Sequence, residues 1–174
     1  MAISDDHSLG EAREWLINQI DKHDTERCPC CRKLNEKYHR QLYPAPVAGL
    51  VVAHEWYGIN KWFHWPDTMR EANRRHGYKL PAGGDGAKLE FWDLMERGTR
   101  NRDPDTPGAG WWRITEKGSA FIRNTITLPK CARVIGVNSQ FTGWCDDKHP
   151  GETFCRDVVE RRNKFSYAKL RGWE

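Results

Sequence analysis

Apolar positions recur every three or four residues near the start of the chain, the spacing of one face of an α-helix. This pattern predicts an amphipathic helix over Ser8–His23. Ser8 can cap its first turn, and Glu11 stands three residues later, as in a capping box. We expect this helix to dock on the core. Its apolar positions are Ala12, Trp15, Leu16 and Ile20.

The segments that follow are first polar and then strongly apolar. The sequence predicts a second helix over Lys33–Leu42, which Pro44 and Pro46 would end because proline disfavours helical backbone in the residue before it. Gly49–Trp56 fits either a buried strand or a buried helix, since so short an apolar run has no decisive period. A further helix is predicted over Asp67–Gly77.

The centre of the chain predicts a helix over Asp85–Gly98 and then a polar, turn-rich loop over Thr99–Gly110. Trp111–Ile114 is predicted to be a short strand, and Thr115 can cap the helix after it. We expect large side chains to form the core here. These are Trp92, Trp112, Ile114 and Phe121.

The last part of the chain predicts a β-hairpin and a helix. Ile126–Leu128 and Ala132–Val137 have the composition of strands, and Asn138-Ser139 is a turn from which the chain returns over Phe141–Trp144. Glu152–Arg162 is the predicted final helix.

The order of elements from Asp67 to Arg123 resembles the winged-helix regulators of the MarR type. In that fold the second helix of a helix-turn-helix enters the major groove of DNA, and the loop between two strands forms the wing. The matching segments are Asp85–Gly98 for the helix and Thr99–Gly110 for the wing. The resemblance implies that exposed basic residues bind the partner. They are Lys88, Arg97, Arg100, Arg102 and Arg113.

Roughly from Cys28 to Leu170, the chain also resembles small phage- and prophage-encoded proteins of unknown function. The shared features are a Cys-Pro-x-Cys turn, a helix of the type Ala87-Lys88-Leu89-x-x-Trp92, and a block from Gly110 to Ile122 that contains Trp-Arg-Ile-Thr-Glu-Lys-Gly. This resemblance implies a phage origin but no activity.

The predicted fold is therefore α+β, with a winged-helix-like core. Its three parts are an N-terminal helical segment (1–65), the core (66–124), and a C-terminal β-hairpin and helix (125–174). We expect them to pack as one globular unit, because 174 residues fit one domain or one domain with a small appendage.

Composition and charge restrict the functional classes. No run of about 18 apolar residues could span a membrane. The first residues lack the basic and apolar regions of a secretory signal, so we expect a cytoplasmic protein of the infected host. A net charge of +4 is compatible with contact to nucleic acid but does not require it.

Two kinds of partner follow from these features, and no small-molecule substrate is expected. The first is duplex DNA, which the basic helix and wing would bind. The alternative is a host protein, such as RNA polymerase, a replication factor or a defence nuclease, because nine tryptophans supply many residues of the type that dominates interfaces. Four carboxylates among the basic residues weaken the DNA hypothesis. They are Glu90, Asp93, Asp103 and Asp105.

No motif nominates an enzyme: the chain lacks the common phosphate-loop, dinucleotide, zinc-protease and serine-hydrolase signatures. Asp146-Asp147 followed by His149 fits a solvated loop far better than a metal-dependent nuclease. We therefore expect a binding protein without catalytic residues.

The spacing Cys28-x-x-Cys31 is that of a zinc knuckle, in which a tight turn directs two thiolates at one ion. His23 and His64 are the first candidates to complete a structural zinc site. His39 is a further candidate, and the remote cysteines 131, 145 and 155 are less favoured. Free thiols explain the spacing equally well, and a redox pair is a third alternative.

Overall fold

The computed structural model describes residues 8–98, 107–136, 140–145 and 148–172. It confirms a mixed α+β protein. Its contacts divide the chain into two compact units. The smaller unit draws on Met1–Arg40 and Cys131–His149, and the larger on Gln41–Lys130 and Pro150–Glu174. The three-part division predicted above is a different partition and stays a prediction.

The smaller unit combines one helix with a four-stranded sheet. Helix α1 (Leu9–His23) has the predicted capping box, because the Ser8 side chain accepts from the Glu11 amide while the Glu11 side chain accepts from the Ser8 amide. The sheet has the order β1-β2-β7-β8. Its strands are β1 (Thr25–Arg27), β2 (Leu34–Gln41), β7 (Cys131–Ile135) and β8 (Gln140–Trp144).

The helix predicted over Lys33–Leu42 is wrong, because this segment is strand β2. Its neighbours in the sheet are β1 on one side and β7 on the other. The backbone groups of this segment therefore form hydrogen bonds with the neighbouring strands and not within a helix. Pairing with distant strands overrides the local helix propensity of the segment.

The larger unit is built around helix α2 (Pro44–Tyr57), whose residues from Pro46 to Ala53 are buried. The apolar run at Gly49–Trp56 is thus a buried helix. Pro44 and Pro46, predicted to end a helix, instead begin this one. Proline suits the first turn of a helix, because its missing N–H would have no helical partner there.

A three-stranded antiparallel sheet packs with three helical segments in this unit, in the strand order β3-β5-β4. Its strands are β3 (Phe63–His64), β4 (Met95–Arg97) and β5 (Trp111–Ile114). The helical segments are α3 (Trp65–His76), a 3₁₀ helix (Gly84–Trp92) and α4 (Glu116–Ile122). The predictions of α3, β5 and α4 are confirmed, and so are the core positions Trp92, Trp112, Ile114 and Phe121.

The α-helix predicted over Asp85–Gly98 is wrong in both type and length. The segment is a 3₁₀ helix that ends at Trp92, after which Asp93 adopts a left-handed conformation with φ 56°. Residues from Met95 onwards then pair with β5, Met95 opposite Ile114 and Arg97 opposite Trp112. The backbone groups of Met95–Arg97 therefore form hydrogen bonds with β5 and cannot form those of a longer helix.

The start of α4 ties the two longer strands of this sheet together. Thr115 caps α4 by accepting a 2.9 Å hydrogen bond from the Gly118 amide. The Thr115 hydroxyl also donates to the Asp93 carbonyl at 2.6 Å, and the Thr115 amide donates to Leu94. One residue thus links the end of β5 to the entry of β4.

The C-terminal part of the larger unit is more broken than predicted. The helix expected over Glu152–Arg162 is instead a strand, a short helix and a 3₁₀ turn, and Arg162 has a φ of 63° that no α-helix accommodates. The elements are β6 (Leu128–Pro129), β9 (Glu152–Thr153), α5 (Cys155–Val159), a 3₁₀ helix (Arg161–Asn163) and α6 (Tyr167–Leu170). None of the helices in the described residues combines the length and apolarity needed to cross a membrane.

Candidate functional site

The β7–β8 hairpin of the smaller unit brings two cysteines together. Ala132 pairs with Trp144 in the hairpin. One step further along each strand, the Cys145 amide donates a 3.0 Å hydrogen bond to the Cys131 carbonyl. Directly opposed residues of antiparallel strands have adjacent side chains, so the backbone alone brings the two thiols close.

Strand β2 adds an imidazole to this pair. His39 Nδ1 lies 3.2 Å from Cys145 Sγ, and the ligand atoms of His39, Cys131 and Cys145 all lie within 4.8 Å of one another. We call these three residues the His–Cys–Cys cluster. Cys131 and Cys145 are 0% and 4% exposed, and His39 is half-buried.

The chemistry of the cluster suits a tetrahedral metal ion. Zinc binds thiolate sulfur at about 2.3 Å and imidazole nitrogen at about 2.0–2.1 Å, so its ligand atoms lie about 3.5–4 Å apart. In the cluster, His39 Nδ1 and Cys145 Sγ are 3.2 Å apart, and no two ligand atoms are more than 4.8 Å apart. Two thiolates would also balance the charge of a divalent cation, which makes its burial less costly.

The residues first predicted to hold zinc do not form such a cluster. Among the described residues, only the His–Cys–Cys cluster brings three or more potential ligands close enough to share one ion. Cys28 and Cys31 belong to no such group. His23 is exposed at the end of α1. His64 belongs to the larger unit, where its Nδ1 is 2.6 Å from an Asp67 carboxylate oxygen.

The cysteine turn itself forms as predicted. The Arg32 amide donates to the Cys28 carbonyl and the Cys28 amide to the Lys33 carbonyl, both at 2.9 Å. The hydrogen bond from the Cys31 backbone lowers the pKa of the Cys28 thiol, and the Cys30 backbone adds to this effect. The turn therefore favours a thiolate at Cys28.

The predicted partner-binding residues that can be described do not form one basic face. Lys88 pairs with Asp85 at 2.5 Å, Arg97 with Glu90 at 3.5 Å, and Arg113 with Glu96 at 2.6 Å. The pairing register sets Arg97 opposite Trp112 and Arg113 opposite Glu96, so strand alternation places the two arginines on opposite faces of the sheet. Arg100 and Arg102 lie outside the described residues.

One face of this sheet is exposed and carries aromatic and charged groups together. Trp111 is 37% exposed, and its ring centroid lies 5.6 Å from that of His64, its partner across the β3–β5 pair. The Arg113 guanidinium lies 5.0 Å from the Trp62 ring centroid. We call His64, Glu96, Trp111 and Arg113 the outer sheet face.

His54 and Ser119 form a polar contact between α2 and α4. His54 Nε2 is 2.8 Å from Ser119 Oγ, and His54 Nδ1 is 3.2 Å from a Glu55 carboxylate oxygen. Ser119 is only 2% exposed, so a substrate has no route to its hydroxyl in this structure. The contact fastens α4 to α2.

From the sequence, each member of the His–Cys–Cys cluster is a candidate ligand, but Cys28, Cys31, His23 and His64 are favoured. One sequence feature does indicate the cysteine pair. Cys131 and Cys145 are equally distant from residue 138 in the predicted hairpin turn, so the two residues are expected to lie opposite each other. The chain matches no known protein family, no curated protein and no solved structure. The two candidate sites for a function are therefore the His–Cys–Cys cluster and the outer sheet face, both known from their geometry.

Proposed function

We propose that residues 44–122 form a winged-helix unit that binds a protein of an infected host through the outer sheet face. The order of helix, strand, two helical segments and two further strands supports the fold assignment. So does the sheet order β3-β5-β4, in which the last strand lies between the other two. The phage origin implied by the sequence resemblance is part of this proposal.

The outer sheet face carries the partner assignment. It presents Trp111 at 37% exposure beside Arg113, which stacks on Trp62. Tryptophan and arginine are the residues most enriched among those that dominate binding energy at protein interfaces. Because Arg113 is already paired with Glu96, a partner with both signs of charge fits this face better than a row of phosphates.

The test is affinity purification from host lysate, with and without nuclease treatment, using the intact protein and two matched variants. Trp111→Ala alters the outer sheet face, whereas Phe154→Ala removes a similarly exposed aromatic, 42% exposed, from another element. A stoichiometric protein partner that survives nuclease, is lost in Trp111→Ala and is retained in Phe154→Ala is the expected result. A partner that disappears with nuclease, or binds both variants equally, overturns the proposal.

Duplex DNA is the second candidate partner. The larger unit contains 19 Lys and Arg residues against 14 Asp and Glu residues, and Arg100 and Arg102 stand between β4 and β5 at the sequence position of a wing. Binding through phosphates weakens steeply with salt. Fluorescence anisotropy with duplex DNA should then show a strong salt dependence that an Arg100→Glu, Arg102→Glu variant reduces; affinity indifferent to both excludes this candidate.

For the His–Cys–Cys cluster we propose a structural zinc ion. Thiolate and imidazole ligands together select zinc over the oxygen-preferring cations magnesium and calcium. The cluster supplies three of the four ligands of a tetrahedral ion, and the burial of both thiols suits a site that supports the fold. No disulfide joins any of the six cysteines, all of which lie among the described residues, as is usual in a reducing compartment such as the host cytoplasm. Elemental analysis of the purified protein tests this directly.

A further inference from the structure

A cavity of about 490 Å³ lies in the larger unit, apart from the sites described above. It is lined by the start of α2, by the loop after α3 and by the segment around the start of α6. This volume falls within the range of about 300–1,000 Å³ that is typical of small-molecule sites. Its lining combines several lysines with two aromatic side chains.

Three lysines line this cavity: Lys79, Lys164 and Lys169. All three side chains are exposed, and none forms an ion pair with a carboxylate in the part of the chain that the structure describes. The basic residues of α3 provide a contrast, because Arg74 and Arg75 both pair with Glu71. The positive charge at the cavity is therefore available to an anion.

The cavity also has an aromatic wall. The rings of Tyr78 and Phe165 meet edge to face, with centroids 6.4 Å apart. Ala45, the second residue of α2, also lines the cavity. A flat apolar group could contact the rings while an anionic group meets the lysines.

We propose that this cavity binds a nucleoside phosphate, with its phosphate at Lys79, Lys164 and Lys169 and its base against Phe165 and Tyr78. Lysine binds phosphate as a point charge. Bases of every kind stack on aromatic side chains. The aromatic wall should therefore favour nucleosides in general and should not distinguish one base from another. The site does not depend on the winged-helix assignment or on the partner of the outer sheet face.

The phosphate half of the proposal is tested by isothermal titration of the intact protein with AMP. A Lys164→Ala, Lys169→Ala variant should lose at least about tenfold in affinity, because hydrogen bonds from charged donors are among the strongest. Lys61→Ala is the matched control, since Lys61 is an exposed lysine of the same unit that does not line the cavity. Circular dichroism establishes that each variant is folded.

The base half is tested by comparing AMP with inorganic phosphate on Phe165→Leu. This variant should weaken AMP binding and leave the binding of phosphate unchanged. If phosphate binds the unaltered protein as tightly as AMP does, the nucleoside assignment is wrong. A short oligothymidylate serves as a second probe and distinguishes a nucleotide within a single strand from a free one. The whole proposal is overturned if neither AMP nor the oligothymidylate binds saturably, or if the lysine variant binds like the control.

Discussion

Cys131 and Cys145 face each other across the β7–β8 hairpin, where the Cys145 amide donates to the Cys131 carbonyl at 3.0 Å. Backbone pairing fixes the distance between their side chains before any metal is present. His39 Nδ1, 3.2 Å from Cys145 Sγ, then adds a third ligand from the neighbouring strand β2. An ion bound here would link three strands of one sheet.

Protein purified without chelator should therefore contain about one zinc ion per chain. Cys145→Ser should lose it, because removing one of two thiolates leaves too few strong ligands. Cys30→Ser is the matched control, since Cys30 is an exposed thiol outside the cluster. Elemental analysis measures both variants, and replacement by cobalt would give absorption bands typical of thiolate coordination. Equal zinc content in both variants would contradict the site.

Removal of the zinc should also lower the stability of the smaller unit. The free energy of metal binding contributes to folding when the unfolded chain has no preformed site. A chelator should therefore reduce the thermal midpoint, and this reduction should become smaller as the pH falls, because protons compete with zinc for thiolates and imidazole and the ion then contributes less stability. Differential scanning calorimetry measures this, and Cys145→Ser should show no response to chelator. A chelator effect of equal size in that variant would locate the metal elsewhere.

The candidate metal site was only partly predictable from the sequence. Zinc was predicted at Cys28-x-x-Cys31 because short spacing is the usual signal of a knuckle, whereas the cluster joins residues 92 and 106 positions apart from His39. Only the β7–β8 hairpin is evident from the sequence, and the Cys145 amide donates to the Cys131 carbonyl at its end. The placement of β2 beside β7 depends on tertiary pairing, which local patterns do not contain.

A third prediction concerns Gly118, which lies in α4 directly against the entry of β4. A Cβ atom at this position would overlap the carbonyl oxygen of Leu94, a backbone atom that cannot turn aside. Helix propensity alone would favour alanine by about 1 kcal/mol. We expect the overlap to outweigh this gain, so that Gly118→Ala lowers the free energy of unfolding by about 1–3 kcal/mol.

Gly83→Ala is the control for this substitution. No heavy atom lies within 4 Å of a Cβ at Gly83, and its φ of −90° suits any residue. Urea denaturation should therefore give it nearly unaltered stability. If Gly118→Ala proves as stable as Gly83→Ala, the close approach of α4 to Leu94 is not a feature of the protein in solution.

The fold around Gly118 shows which features local patterns can predict. Thr115 as a cap and Trp111–Ile114 as a strand were predicted because each depends on a few adjacent residues. The 3₁₀ helix that ends at Trp92 was predicted as a longer α-helix, because the apolar spacing continues through Met95. Pairing with β5 decides that Met95–Arg97 is a strand, and β5 is distant in sequence.

A fourth prediction concerns Glu71 on α3. Hydrogen bonds from Arg74 and then Arg75 lower the pKa of its carboxyl group to about 2, from an ordinary value of 4.5. Because the folded pKa is the lower one, these bonds stabilise the fold above about pH 4.5, and the contribution is lost as the pH falls towards 2. The effect on stability should be small, since the group is at the surface.

Carbon-detected NMR titration of the Glu71 carboxyl group measures this pKa. The double variant Arg74→Ala, Arg75→Ala should return the midpoint towards its ordinary value. Arg70→Ala is the control, because Arg70 pairs with Asp67 and not with Glu71. A midpoint near 4.5 in the unaltered protein would mean that the two arginines do not hold Glu71 in solution.

The last prediction concerns the order in which the thiols react with iodoacetamide. The nucleophile is the thiolate, so a cysteine with a lower pKa stays reactive at lower pH. The Cys31 backbone lowers the pKa of Cys28, whereas desolvation and then the charge of Cys28 raise the pKa of Cys30. Below the ordinary thiol value of about 8.5, Cys28 should therefore be alkylated faster than its more exposed neighbour Cys30.

Cys155 should be the least reactive of the compared thiols in the same experiment. Burial raises the pKa of its thiol to about 12, so it should stay unmodified until the protein unfolds. Mass spectrometry of peptides from samples quenched at several pH values follows each site separately. Faster reaction of Cys30 than of Cys28 at every pH would show that exposure, and not thiolate stabilisation by the turn, governs the reactivity of Cys28-Pro29-Cys30-Cys31. Faster reaction of Cys28 would instead make this turn a nucleophilic site that is independent of the buried His–Cys–Cys cluster.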